Sequence, residues 1–126
     1  TTPTLMAGTL ANLQVTDVSV GSTAGCAVTV ETTTTNSNVH CWGLNGTGGM
    51  LGNNSTTASN GASGPVRANT FAYNAARATQ GSVGDNHACA VTNEQYTNNA
   101  YCWGNNAAYQ LGDGTTTNRS ARSSTG

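Results

Sequence analysis

The sequence predicts an all-β protein built from two four-stranded antiparallel blades of the β-propeller type. Three observations predict this class: one set of motifs occurs twice, the apolar runs are short, and turn-forming residues separate them. No segment shows the apolar i, i+3, i+4, i+7 spacing of an amphipathic helix. Two blades alone leave exposed sheet faces and edges, so we expect them to belong to a larger propeller, ring or stacked assembly.

The repeat consists of three motifs that recur in the same order, 60 to 63 residues apart. They match Val20–Val28 with Val83–Val91, Val39–Asn45 with Ala100–Asn106, and Leu51–Asn53 with Leu111–Asp113. The only two prolines, Pro3 and Pro65, stand 62 positions apart and open corresponding segments. The chain therefore divides into a first propeller-type repeat, residues 1–63, and a second, residues 64–126.

Each repeat is predicted to contain four short strands separated by clusters of Gly, Asn, Ser and Thr. In the first repeat the strands are expected around Thr4–Met6, Val15–Val20, Cys26–Val30 and Val39–Trp42. In the second repeat they are expected around Val66–Asn69, Ala78–Val83, Cys89–Thr92 and Ala100–Trp103. Regular short strands at this period are typical of propeller blades.

Each repeat carries one pair of cysteines on neighbouring predicted strands. Cys26 and Cys41 are 15 residues apart, and Cys89 and Cys102 are 13 apart. Opposed residues of an antiparallel pair have Cβ atoms about 4.5–5.5 Å apart, close to disulfide distance. Repeat symmetry favours one disulfide within each blade among the three connectivities of four cysteines. Free thiols and a metal site are the alternatives, although the tight C-x₂₋₄-C pairs of zinc sites are absent.

The cysteines and the charge limit the cellular compartments and the classes of binding partner that we expect. Disulfides persist in oxidising compartments, so we expect an extracellular protein, secreted or at the cell surface. Four arginines, no lysine and five acidic residues cannot neutralise many phosphates, which excludes nucleic acid and anionic membrane surfaces as partners. The sequence contains no run of 18 or more apolar residues, so we expect no membrane insertion. A start at Thr1 without a signal-peptide pattern suggests a mature product or a part of something longer.

The second repeat resembles the repeat of the regulator of chromosome condensation family. The resemblance lies in Gly84–Val91, Tyr101–Asn106 and Gln110–Thr115, and more loosely in Gly21, Cys26–Val28, Cys41–Gly43, Asn45 and Leu51–Gly52. The resemblance implies a β-propeller of four-stranded blades, usually seven to a ring. The cysteine pairs look like those of the secreted bacterial branch of the family. The chain departs from the family in having two repeats, Tyr109 where Gly is usual, and Ala24 in place of His87. The family's nuclear nucleotide-exchange and chromatin roles conflict with disulfides and with this charge balance.

No catalytic constellation is evident, so we predict that the protein is not an enzyme and uses no cofactor or metal. No nucleophile elbow accompanies His40 or His87. We expect a structural hydrogen-bonding role for His87 and a surface or blade-face position for His40. Asp85 and Asp113 lack calcium-loop spacing and are interpreted as turn residues.

Two other features concern packing and modification. Trp42 and Trp103 occupy equivalent positions and are interpreted as packing residues of the repeat, with sugar stacking as the alternative. Gly43 and Gly104 follow them and are expected to permit a tight turn or close backbone approach. Candidate N-glycosylation sites open the four sequons, at Asn45, Asn53, Asn54 and Asn118.

These features predict a non-catalytic extracellular structural module that self-assembles through its repeats into a filament or ring, with glycans as a candidate modification. Its partners are then copies of itself or further repeats of the same protein. The alternative is a protein- or glycan-binding propeller fragment, an adhesin or inhibitor, cut from a longer secreted protein and binding through its loops.

Overall fold

A computed structural model describes residues 2–3, 6, 10, 13–31, 37–59, 66–67, 77–94 and 97–121. This part of the chain is all-β and forms two antiparallel sheets. The strands are β1 Leu13–Val20, β2 Ala24–Glu31, β3 Ser37–Gly43, β4 Val66–Arg67, β5 Arg77–Val83, β6 His87–Glu94 and β7 Thr97–Gly104. The described residues include no helix that is long and apolar enough to cross a membrane.

The two sheets repeat one design. The first has the order β1-β2-β3-β4 and the second the order β5-β6-β7. A β-bulge interrupts β1 between Val15 and Asp17, and the matching bulge interrupts β5 between Ala78 and Gln80. Thr16 and Thr79, at the two bulges, each donate a side-chain hydrogen bond to a β2 or β6 carbonyl. The internal repeat of the sequence is therefore a repeat of structure.

The fourth strand departs from the prediction. The strand expected to open the second repeat is present as Val66–Arg67, but it pairs with Cys41 and His40 of β3. Its assignment to the second blade is therefore wrong, because the start of the second repeat completes the first sheet. The second sheet has three strands among the described residues, so only the first is seen with four. The counterpart predicted around Thr4–Met6 falls largely outside the described residues.

Each sheet has two faces, because successive side chains of a strand point to opposite sides. We call one the cysteine face: it carries Asp17, Ser19, Cys26, Val28, Val39 and Cys41 in the first sheet, and Gln80, Ser82, Cys89, Val91, Ala100 and Cys102 in the second. We call the other the tryptophan face: it carries Val18, Val20, Ala27, His40 and Trp42 in the first sheet, and Gly81, Val83, Ala90, Tyr101 and Trp103 in the second.

The core lies where the tryptophan face of the second sheet packs on the cysteine face of the first. The buried cluster there joins Cys26, Val28, Val39, Cys41, Met50 and Leu51 to Ala78, Ala88, Ala90 and Trp103. Two hydrogen bonds close the junction: the backbone N–H of Gly81 donates to Asp17 Oδ2 at 2.8 Å, and that of Val83 donates to Ser19 Oγ at 3.0 Å. These bonds satisfy backbone donors on the edge strand β5.

Candidate assembly faces

Both predicted disulfides are present. Cys26 bonds to Cys41 and Cys89 bonds to Cys102, each pair standing directly opposite on neighbouring strands with Cα atoms 4.1 Å apart. Every cysteine of the chain is thus in a disulfide. The first pair is buried, with Cys26 4% and Cys41 0% exposed, whereas the second pair is half-buried. They differ because the second sheet covers the first disulfide, while no described residue covers the second in the same way.

Trp103 joins the two repeats. Its side chain is fully buried, and its indole Nε1 donates a 2.9 Å hydrogen bond to the carbonyl of Met50. Gly52, at a φ of 68°, lies against the indole, and a Cβ there would come within 2.7 Å of Nε1. A side chain at position 52 would therefore push the indole out of its site.

Trp42, the counterpart of Trp103, lies in different surroundings. It is half-buried and packs over Gly25, where a Cβ would come within 2.6 Å of Cζ2. Gly43 and Gly104, which follow the tryptophans, have φ values of 103° and 112°. Such values favour glycine, and a Cβ at either position would collide with the start of β2 or β6. These glycines therefore permit the close backbone approach at the end of each hairpin.

Parts of two sheet faces are exposed. On the tryptophan face of the first sheet, Val18 is 59% and Val20 is 70% exposed along β1, whereas Ala27 and His40 on β2 and β3 are buried. On the cysteine face of the second, Val91 is 37% exposed and borders a shallow cavity of about 360 Å³. Gln80, Ser82, Cys89 and Ala100 also line this cavity.

Buried amides organise the loop that follows β3 and its counterpart after β7. Asn45 accepts the N–H of Leu51 at 2.8 Å and donates to the carbonyls of Ser55 and Thr57 at 2.7 and 3.0 Å. Asn106 accepts the N–H of Leu111 at 3.0 Å and donates to the carbonyl of Thr115 at 2.7 Å, besides a bond to Asp113. The sequence motifs contained both asparagines, but their bonding role was missed; their recurrence beside the same leucine was the available signal.

The four candidate glycosylation sites differ in how exposed their asparagines are. Asn45 is 1% exposed and its Nδ2 already donates two hydrogen bonds, so the folded chain has no room for a glycan there. The prediction at Asn45 is therefore wrong. Asn54 and Asn118 are exposed and Asn53 is half-buried. Glycosylation at these three positions stays a prediction.

Asp113 is a turn residue in a closed polar cluster. It accepts the side-chain and backbone groups of Thr115 at 2.8 and 2.9 Å, pairs with the guanidinium of Arg119 at 2.9 Å, and accepts from Asn106 at 2.9 Å. The hydrogen bonds from Thr115, joined by those from Arg119 and Asn106, hold the pKa of Asp113 well below its usual range. In the described part of the chain, no three His, Cys, Asp or Glu residues lie close enough to hold a metal ion.

The two histidines lie in different surroundings. His40 is 4% exposed, and its Nδ1 lies 3.0 Å from the hydroxyl of Thr29. It is thus a blade-face residue, but a buried one rather than a surface one. His87 is half-buried, and Gly84 packs against its ring. Its buried Nδ1 has no hydrogen-bond partner among the described residues, so the expected bonding role is not seen for that atom.

No protein-family model matches the chain, and no curated protein is significantly similar to it. The described residues form an all-β repeat pair with two disulfides and two different sheet faces that are exposed in part. The sequence did not reveal the contacts of Asp17 and Ser19 across the repeats, although the match of Ser19 to Ser82 was a signal for one of them.

Proposed function

We propose that this protein is a non-catalytic extracellular structural module that assembles head to tail through its repeats. In this assembly the tryptophan face of the first sheet of one copy packs on the cysteine face of the second sheet of the next. The observation that carries the proposal is the same contact inside the chain, where the second sheet packs its tryptophan face on the first sheet. The exposed counterparts of that pair are the β1 side of the tryptophan face of the first sheet and the cysteine face of the second.

The cysteine face of the second sheet carries counterparts of the groups that make the contact inside the chain. Ser82 is the counterpart of Ser19, so its hydroxyl stands ready to accept the backbone N–H of Val20, the counterpart of Val83. Gly112 has the same φ as Gly52, 69° against 68°, and a Cβ at Gly112 would have no heavy atom within 4 Å. The space that Trp103 occupies beside Gly52 is thus open beside Gly112, where Trp42 of the next copy fits.

The apolar groups on these faces provide the driving force. Burying a valine fully is worth roughly 1.5–3 kcal/mol, and Val18, Val20 and Val91 are all substantially exposed. Covering the half-buried Cys89–Cys102 disulfide adds further apolar area. Association must also overcome the loss of translational and rotational freedom, so several such residues have to be buried together.

The contact joins two different surfaces, so it is heterologous. Such contacts produce a ring if the rotation between copies closes and a filament if it does not. Four-stranded propeller blades form part of the proposal, and the pairing of β4 with β3 supports it. An extracellular location is supported by the two disulfides, which an oxidising compartment maintains.

Sedimentation velocity and negative-stain electron microscopy test the proposal. Wild-type protein is expected to form particles well above the 12.7 kDa of one chain. Val20→Glu places a charge in the centre of the interface and is expected to abolish these particles, because an unpaired buried carboxylate is costly. Thr116→Glu is the matched control: it makes the same charge change in an exposed loop that lies on neither face.

Two results would overturn the proposal. One is a wild-type protein that stays a 12.7 kDa monomer at every concentration tested. The other is a Val20→Glu variant that assembles as the wild type does. A monomer that binds a glycan or another extracellular protein through its loops would instead support the binding-module alternative.

A further inference from the structure

We infer that the junction between copies differs from the junction inside the chain, and that an apolar contact between Tyr109 of one copy and Leu44 of the next distinguishes it. This inference rests on the proposed head-to-tail assembly. It concerns one rim of the interface, formed by the turn that follows each hairpin: Gly48–Gly52 in the first repeat and Ala108–Gly112 in the second.

Inside the chain this rim has no room for side chains. A Cβ on Gly48 would lie 2.6 Å from the backbone nitrogen of Asn105. A Cβ on Gly49, whose φ is 70°, would lie 2.5 Å from the Cα of Ser120. A side-chain Cβ does not come this close to non-bonded atoms in proteins, so the second repeat approaches the first closely only because two glycines stand here.

At the uncovered end of the chain, side chains occupy the same positions. Ala108 and Tyr109 are the counterparts of Gly48 and Gly49. The register is fixed by Leu51 and Leu111, whose N–H groups bond to Asn45 and Asn106. An exact copy of the internal junction would therefore clash at Ala108 and Tyr109, so the next copy must sit differently along this rim.

The residue that faces this turn is also more apolar in the contact between copies. Asn105, which lies against Gly48 inside the chain, has Leu44 as its counterpart on the first repeat. Leu44 is 53% exposed and Tyr109 is 64% exposed. Glycine against asparagine inside the chain thus becomes alanine against leucine between copies, with Tyr109 directly beside Ala108. Three apolar side chains fill the wider gap, and aromatic side chains are frequent anchors of protein interfaces.

The backbone of Tyr109 supports a role outside its own turn. Its φ is 60°, a left-handed conformation that is unfavourable for a bulky L-residue. The turn requires it, because Tyr109 donates its N–H to Asn106 and accepts that of Gly112, each at 3.0 Å. Glycine would satisfy this turn without strain, as Gly49 does. Strained residues of this kind concentrate at functional sites.

The test measures assembly and folding separately in the full chain. Tyr109→Gly removes the side chain and relieves the backbone. It is expected to leave the Tm of the dissociated monomer unchanged or higher, while weakening the association constant at least tenfold. If Tyr109 only stabilised its own domain, the substitution would instead lower the Tm of the monomer. Tyr109→Asn, which tolerates a positive φ, provides a second variant if the glycine form folds poorly.

Leu44→Asn, which installs the residue found at position 105, is the matched partner variant. It is expected to weaken association to a similar degree, and the double variant with Tyr109→Gly is expected to lose less than the sum of the two single losses. Association of Tyr109→Gly within twofold of the wild type, or fully additive losses, would overturn the inference. If Val20→Glu still abolishes assembly in that case, the proposed function stands alone. A monomeric wild type would overturn both.

Discussion

Trp103 donates its indole N–H to the carbonyl of Met50, 53 positions earlier in the chain, at 2.9 Å. The bond ties β7 of the second sheet to the loop that follows β3 of the first. Its counterpart would join Trp42 to the carbonyl of Gln110, and the structure does not form that bond within one chain. Trp42 and Trp103 thus share one local motif but differ in whether a neighbouring repeat covers them.

This difference predicts unequal effects of the two tryptophans on folding. Trp103→Ala is expected to lower the free energy of unfolding of the monomer by about 3–5 kcal/mol, because it empties a fully buried site. Trp42→Ala is expected to cost less than half as much, because Trp42 is half-buried, and to weaken assembly instead. Urea denaturation at dissociating concentrations measures the first effect, and sedimentation measures the second. Equal losses of folding stability would contradict the prediction.

The two disulfides are expected to differ in their rate of reduction. Cys26–Cys41 is buried beneath the second sheet, whereas Cys89–Cys102 lies on the uncovered cysteine face. A reductant must reach the sulfur, so Cys89–Cys102 opens first in the monomer. Alkylation followed by peptide mass spectrometry identifies which pair has opened. Assembled wild type should protect Cys89–Cys102, while Val20→Glu should not; reduction of Cys26–Cys41 first would contradict the burial difference.

The lowered pKa of Asp113 predicts that the folded protein loses stability in acid. Its pKa is lower in the folded chain than the value of about 3.9 of an unfolded aspartate, so folding favours the charged form. The contribution is therefore complete above about pH 4 and declines as the pH falls below that value. Thermal unfolding between pH 7 and pH 2 measures it.

Asp113→Asn is the control, because Asn53 occupies this position in the first repeat. The variant should be less stable than the wild type at pH 7, because it loses the ion pair with Arg119. The difference between the two proteins should shrink as the pH falls below about 4. A difference that stays constant down to pH 2 would show that the Asp113 carboxylate does not contribute.

Asn45 and Asn106 are expected to be structural rather than modified. Asn45→Ala and Asn106→Ala each leave buried backbone groups without partners, at a cost of about 1–3 kcal/mol apiece. Chemical denaturation tests this cost, with Asn93→Ala, at an exposed asparagine of β6, as the comparison. Glycopeptide mapping of natively expressed protein should find Asn45 unmodified. Sugar at Asn45 of folded protein would contradict the buried position.

The sequence by itself determined the local structure of each repeat. The hairpins join residues fewer than about twenty positions apart, so turn residues and alternating strands specify them without help from the rest of the chain. The disulfide pairing followed for the same reason, because Cys26 opposes Cys41 and Cys89 opposes Cys102 within single hairpins. Val15–Val20 and Ala78–Val83 were likewise placed within two residues of β1 and β5.

Only the tertiary structure decided how the repeats meet. Trp42 and Trp103 stand in the same Cys-Trp-Gly motif, so no local pattern shows which of them the other repeat covers. The same holds for β4, whose sequence opens the second repeat but whose backbone pairs with β3. The burial of His40, whose Nδ1 contacts the hydroxyl of Thr29 on β2, also depends on contacts beyond its own strand. Local sequence determines the conformation of a repeat, whereas packing between distant segments determines which of its faces remain available to another copy.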